Sequence, residues 1–156
     1  MKTEICSIPQ EVIDYFRFHL GIQGNIKKNI HFKLNLRKEL MVSEANNRDH
    51  WRIKNKRKKT INQYLNKAFN QLSYQPRFPI PCKVTLTRIS PRKLDYDNNV
   101  FNFKGVRDHI ADFLIPGHKP GRADSENNLD IEWIYLQRKG LPKEYAIEIF
   151  IEAKES

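Results

Sequence analysis

Residues 30–37 alternate without a break. Ile30, Phe32, Leu34 and Leu36 fall on one side of an extended chain, and His31, Lys33, Asn35 and Arg37 on the other. Successive strand side chains point to opposite faces, so this segment has one apolar face to bury and one polar face for water. It reads as a half-buried strand, which requires a sheet covered on one side. A cover follows at residues 50–72, HWRIKNKRKKTINQYLNKAFNQL, where Trp51, Ile61, Leu65, Phe69 and Leu72 mark an apolar helical stripe. Pro76, Pro79 and Pro81 end that helix, because proline lacks the N–H and clashes with the preceding turn. CKVTLTRI, at 82–89, is a strand rich in β-branched residues. Residues 97–115 read as one helix with Phe103, Val106, Ile110, Phe113 and Leu114 facing the core, stopped by PGHKPG. LDIEWIYLQRK and EYAIEIFIEAK are two more strands, joined by GLPK and expected to pair as antiparallel neighbours. Near the N-terminus, Val12, Ile13, Phe16 and Leu20 suit a short amphipathic helix broken by Gly21 and Gly24. The expected fold class is α+β: a mixed, mainly antiparallel sheet with helices packed on it. No glycine-rich phosphate loop and no parallel βαβ fingerprint is present in the sequence.

A chain of 156 residues suits one domain. No apolar run reaches membrane-spanning length, so no membrane partner is expected. The first residues, MKTEICSIPQ, do not resemble a signal peptide. Cys6 and Cys82 match no zinc or redox spacing and read as free thiols in a reducing compartment. Charge is more informative. The net charge is +10, and it is unevenly spread: residues 1–94 hold 20 Lys/Arg against 6 Asp/Glu, and residues 95–156 hold 8 against 12. A basic chain of this kind attracts polyanions, of which nucleic acid is the usual one; ordinary solubility charge is the alternative.

Within that basic context stands PRKLDYDNNVF, residues 91–101, where Asp95 and Asp97 are two apart and Asn98 follows. Two carboxylates on one side of an extended segment repel unless a cation lies between them. Hard oxygen ligands suit Mg²⁺, with Mn²⁺ as a substitute. Asp97 or Asn98 is also placed to cap the next helix, a reading that accounts for one of these groups but not for both aspartates. If the helix starts near Asp97, then Lys104 and Asp108, seven and then four residues on, share its face. A lysine there can offset charge on a phosphate under attack, and a surface Asp/Lys ladder is the plainer alternative. Further acids, Asp124, Glu126 and Asp130, lie in GRADSENNLD, in a loop beside His118, Lys119 and Arg122. Carboxylates from separate segments are what a hydrolytic metal site gathers, though a surface loop can carry the same residues. The run WRIKNKRKK supplies Arg52, Lys54, Lys56, Arg57, Lys58 and Lys59 for phosphate contacts or a solvated face. Trp51 is expected in the core or as a staple, with base stacking as the alternative.

Together, RKLDYDNNVFNFKGVRDHIADFL, GRADSEN and LDIEWIYLQRKG resemble the RusA family of Holliday junction resolvases, over about residues 83–154. The resemblance implies a RusA-like domain over residues 26–156, with residues 1–25 as an extension carrying a short helix. It implies a Mg²⁺-dependent crossover junction endodeoxyribonuclease, acting as a homodimer on branched DNA in recombination and repair, in a bacterial or phage-encoded cytoplasmic setting. The catalytic and metal-binding residues carried over are Asp95, Asp97 and Asp124, with Glu126 as the alternative third acid and Lys104 as the helix lysine. Asn98 matches the residue after the second aspartate, and Arg92 and Lys93 take the place of an arginine where this chain has Leu94. Arg92, Lys93 and Asn98 then join the basic helix as DNA contacts. Two other functions fit the same composition: a non-catalytic nucleic-acid-binding protein, and a Mg²⁺ nuclease acting on flaps or RNA.

Overall fold

A computed structural model describes residues 29–42, 47–71, 81–115, 117, 119–123 and 130–154. The expected N-terminal helix, Cys6, Leu72, the prolines at 76 and 79, His118, Asp124 and Glu126 lie outside these residues. The elements are β1 (Asn29–Asn35), a short 3-10 turn (Lys38–Leu40), α1 (Trp51–Gln71), β2 (Cys82–Ser90), α2 (Tyr96–Asn102), α3 (Lys104–Leu114), β3 (Ile131–Lys139) and β4 (Ala146–Ala153). The four strands form one sheet in the order β1-β4-β2-β3. The β1–β4 and β4–β2 pairs are antiparallel and the β2–β3 pair is parallel. The sheet is therefore mixed and mainly antiparallel, and the α+β expectation holds.

Two details depart from the sequence reading. β3 and β4 are not partners, because β2 lies between them. The intervening turn crosses the end of β2: Gly140 N–H donates to the Ser90 carbonyl at 2.9 Å, and β4 then enters with Ala146 opposite Ile89. β2 takes the central place because it has apolar residues on both faces, with Val84 and Leu86 on one and Ile89 on the other, all fully buried. Its parallel partner β3 follows after a helical crossover, so a parallel β-helix-β unit exists without any glycine fingerprint.

The second departure is the helix expected at 97–115, which breaks at Phe103. There the backbone N–H donates to Val100, three residues back, at 3.1 Å, and Phe103 sits at φ −86 and ψ −4. The break turns the Phe103 ring fully inward, 6.0 Å from the Tyr135 ring, while Phe101 stays exposed.

One sheet face carries Ile30, Phe32 and Leu34 of β1 beside Ile147, Ile149 and Ile151 of β4 and Val84 and Leu86 of β2. Leu65 and Phe69 of α1 and Val106, Ile110 and Leu114 of α3 join these in one core. Phe69 stacks on Phe113 at 3.9 Å and meets Phe32 edge-on at 5.4 Å. The opposite sheet face is mainly polar but also carries Ile89, Ala146 and Phe150, with ion pairs Lys83–Glu152 at 2.9 Å and His31–Glu148 at 2.6 Å. Trp51 is not in the core: it is 61% exposed, with the Arg52 guanidinium 5.6 Å from its ring. It occupies the first residue of α1, ten residues before Ile61, where the helix joins the core. No helix among the described residues is long and apolar enough to cross a membrane.

Cys82 is fully buried, and burial, followed by the nearby Asp130 charge, pushes its thiol up to about 11. The thiolate is the reactive form, so Cys82 should resist maleimide at neutral pH until the protein unfolds. Mass spectrometry of the Cys82 peptide with and without urea checks this.

Candidate active site

The segment that follows β2 is held down at several points. Arg88, 6% exposed, donates through Nη1 to Ser90 Oγ and to the Arg92 carbonyl, the latter at 2.8 Å. Gln137 of β3 pairs its side-chain amide with the Leu94 peptide unit: Nε2 donates to the carbonyl at 2.6 Å and Oε1 accepts from N–H at 2.9 Å. Asn99, 1% exposed, donates to the Leu136 carbonyl at 3.2 Å, and its own N–H reaches the Asp95 carbonyl at 2.9 Å. Residues 90–99 are thus tied to the C-terminal ends of β2 and β3. Gln137→Leu removes both bonds to the Leu94 peptide and leaves its N–H and C=O unsatisfied, a loss of about 1–3 kcal/mol. Urea unfolding measures it.

Asp95, not Asp97 or Asn98, occupies the N-cap position of α2. Its backbone is extended, with φ −59 and ψ 155, but its side chain makes no capping bond. The expected capping role of Asp97 or Asn98 is therefore corrected, because the helix starts one residue earlier, at Tyr96. Asp95 and Asp97 accordingly do not share one extended segment; the helix begins between them. Both are exposed. Neither carboxylate takes part in a hydrogen bond or ion pair with the described residues, and capping consumes neither. A pair of hard oxygen donors on an anchored turn fits Mg²⁺, which binds through one or two carboxylates and keeps several waters. Among the described residues no three His, Cys, Asp or Glu side chains gather into a metal cluster.

The loop with Asp124 and Glu126 lies outside the described residues, but its two ends are placed. On the near side, Gly121 N–H donates at 2.8 Å to Asp112, close to the end of α3. On the far side, the Asp130 carbonyl accepts from Cys82 N–H at 2.8 Å, at the start of β2 and β3. Asp95 and Asp97 stand by the other end of these strands, next to Leu136 and Gln137. β3 has nine residues, so its ends are about 26 Å apart. The described residues therefore place Asp95 and Asp97 at the start of one helix and do not bring Asp130 to them.

Lys104 is exposed and opens α3. Because Phe103 interrupts the helix, the seven-residue spacing does not carry Lys104 onto the face of Asp97. What it does join is a groove of about 360 Å³ between α1 and α3, lined by Lys54, Lys58, Phe101, Lys104 and Asp108 among others. The two helices approach closely here: a Cβ on Gly105 would lie 3.8 Å from Lys58 Cγ. Arg57 also borders the groove, but its Nη1 pairs with Asp49 at 2.7 Å, and that guanidinium, followed by Asn47, holds the Asp49 carboxyl below the usual carboxylate range. Lys56 lies in a separate recess with Arg37, Glu39 and Tyr64. Arg52, Lys59, Arg92 and Lys93 are exposed, and Asn98 is half-buried. The basic run thus winds around α1, and only part of it faces Lys104.

Sequence reasoning missed Arg88, Gln137 and Asn99, which orient the aspartate turn. The signal for two of them was present. Arg88 is in phase with Val84 and Leu86, and Gln137 with Trp133 and Tyr135, so both are polar residues on the apolar face of a strand. Comparison of the chain with protein-family models, with curated proteins and with solved structures finds no match.

Proposed function

We propose that this protein is a Mg²⁺-dependent endodeoxyribonuclease with a RusA-like fold, cutting four-way DNA junctions as a homodimer. The observation that carries this reading is the Asp95–Asp97 pair: two exposed carboxylates without partners among the described residues, on an anchored turn, in a chain of net charge +10. The resemblance of KLDYDNN and its following helix to the RusA motif supplies the reaction class. Asp95 and Asp97 would hold the ion, with Asp124 or Glu126 as a third ligand. When bound, such an ion lowers the pKa of a water and offsets charge on the phosphate. Lys104 supplies positive charge for the phosphate group under attack, and Arg92 and Lys93 flank the aspartates as backbone contacts. Lys54 and Lys58 extend the positive surface along the groove that Lys104 enters. Recognition would rest on branched shape and backbone charge more than on base edges.

The test is a panel of labelled four-way junction, linear duplex, flap and RNA, each incubated with the protein in Mg²⁺ and in EDTA. Paired symmetric nicks confined to the junction, and lost in EDTA, are expected. Equal cleavage of RNA or flaps would reassign the substrate, and binding without cleavage of any substrate would leave a non-catalytic nucleic-acid-binding protein. Lys54→Ala with Lys58→Ala should weaken junction binding and reduce the salt slope by about 1 for each phosphate left without its lysine. Fluorescence anisotropy across a salt series measures both.

A further inference from the structure

Another basic recess lies at the end of β2, bordering the α1–α3 groove at Val42. Its volume is about 570 Å³, and its lining includes Lys38, Arg88, Arg92, Lys143, Met41 and Tyr145, with no Asp or Glu among the described residues. Arg88 is the unusual member. It is 6% exposed, its hydrogen bonds to Ser90 and Arg92 use Nη1 alone, and its Nε is buried without an acceptor among the described residues. A buried guanidinium without a carboxylate partner is costly, and burial pulls its pKa down from the usual arginine value. A planar guanidinium lining the recess is suited to a tetrahedral oxyanion, and exposed Lys38, Arg92 and Lys143 surround the opening with like charge.

We infer that this recess is an anion subsite that seats one backbone phosphate of a nucleic-acid strand on Arg88, with Lys38 and Lys143 at its rim. The phosphate chemistry follows from the recess itself; the identity of the polymer rests on the nuclease reading above. Arg92 lies between the two sites in sequence, three residues before Asp95 and four after Arg88. A strand passing the aspartate turn would therefore place a neighbouring phosphate, not the scissile one, over Arg88. Arg88 would hold the strand and also, through the Arg92 carbonyl, the turn that meets the scissile bond.

The experiment uses the full chain in EDTA, so that no cleavage intervenes. The variant is Lys38→Ala with Lys143→Gly; glycine suits the φ of 67° at residue 143, so the fold is kept. Arg88→Lys is the second variant, keeping the charge and losing the fork. Two probes are applied at matched ionic strength: inorganic phosphate, read by thermal shift against chloride, and a labelled DNA duplex, read by anisotropy over a salt series. Phosphate should raise the wild-type Tm, and the rise should disappear in the double variant. DNA affinity should fall about tenfold in the double variant, with a salt slope smaller by about 2. Arg88→Lys should lose the phosphate response while remaining folded. Unchanged DNA affinity and slope in the double variant would overturn the inference; if the phosphate response alone fell, the ligand would be a free phosphate and the backbone assignment would be wrong. A wild-type protein that cuts no junction in Mg²⁺ but shows these reductions in binding would sink the nuclease reading and keep the subsite. Normal cleavage with unchanged binding would do the reverse.

Discussion

Asp95→Asn with Asp97→Asn should abolish junction cleavage while the protein still folds and still binds the junction. Asparagine keeps the size of each side chain and removes the charge that a hard cation requires. Cleavage should fall by at least about 10²-fold, the scale of removing one preorganised electrostatic stabiliser of a transition state. Stability should move by no more than about 0.5 kcal/mol, because neither carboxylate has a partner among the described residues to lose. Binding in EDTA should hold or tighten, since two negative charges leave a surface that meets phosphates. A burst of single-turnover cleavage by the double variant, equal to wild type, would remove the pair from the chemistry. A large loss of Tm would mean that the aspartates are structural.

Phe103→Ala carries the largest expected effect on the fold. The ring is fully buried, packs beside Tyr135, and occupies the break between α2 and α3. Deleting it leaves a cavity in the core and removes the apolar anchor of that break, at a cost of about 3–5 kcal/mol. For a chain of this size that corresponds to a Tm lower by roughly 10 °C. The site should suffer with it, because α2 bears the aspartate turn and α3 begins with Lys104. Urea and thermal unfolding give the stability loss. A loss under about 1 kcal/mol would show that the ring is replaceable by local collapse.

The half-buried first strand was readable because its alternation is strict over Ile30 to Leu36, and a one-residue slip would expose all of it. The stripe on α3 was readable for the same reason, since Val106, Ile110 and Leu114 repeat at helical spacing. The break at Phe103 was not, because that residue is in phase with the stripe and the backbone turn leaves no mark in the pattern. Nor was the strand order: GLPK suits a hairpin as well as a step over a neighbouring strand. Trp51 was misplaced because an aromatic near an apolar stripe reads as core, whereas the stripe meets the sheet only further along, at Ile61, Leu65 and Phe69. In the candidate site, residue type was legible and availability was not. The motif names two aspartates, but only the structure shows that Asp95 takes the N-cap position without a side-chain capping bond. Likewise the basic run is visible in the sequence, while the pairing of Arg57 with Asp49 depends on how the segment before α1 folds back, and the meeting of Lys58 with Gly105 on how α1 packs against α3.

The claim that the Asp95–Asp97 turn holds a divalent cation is tested most directly by titrating Mn²⁺ into the isotope-labelled protein and following amide intensities. Mn²⁺ accepts the same hard oxygen ligands as Mg²⁺ and broadens nearby resonances. Substoichiometric Mn²⁺ should first erase the amides of Asp95, Tyr96, Asp97 and Asn98, and Asp95→Asn with Asp97→Asn should abolish that effect. Broadening that survives the double substitution, or that centres instead on Asp49 or Glu39, would contradict it.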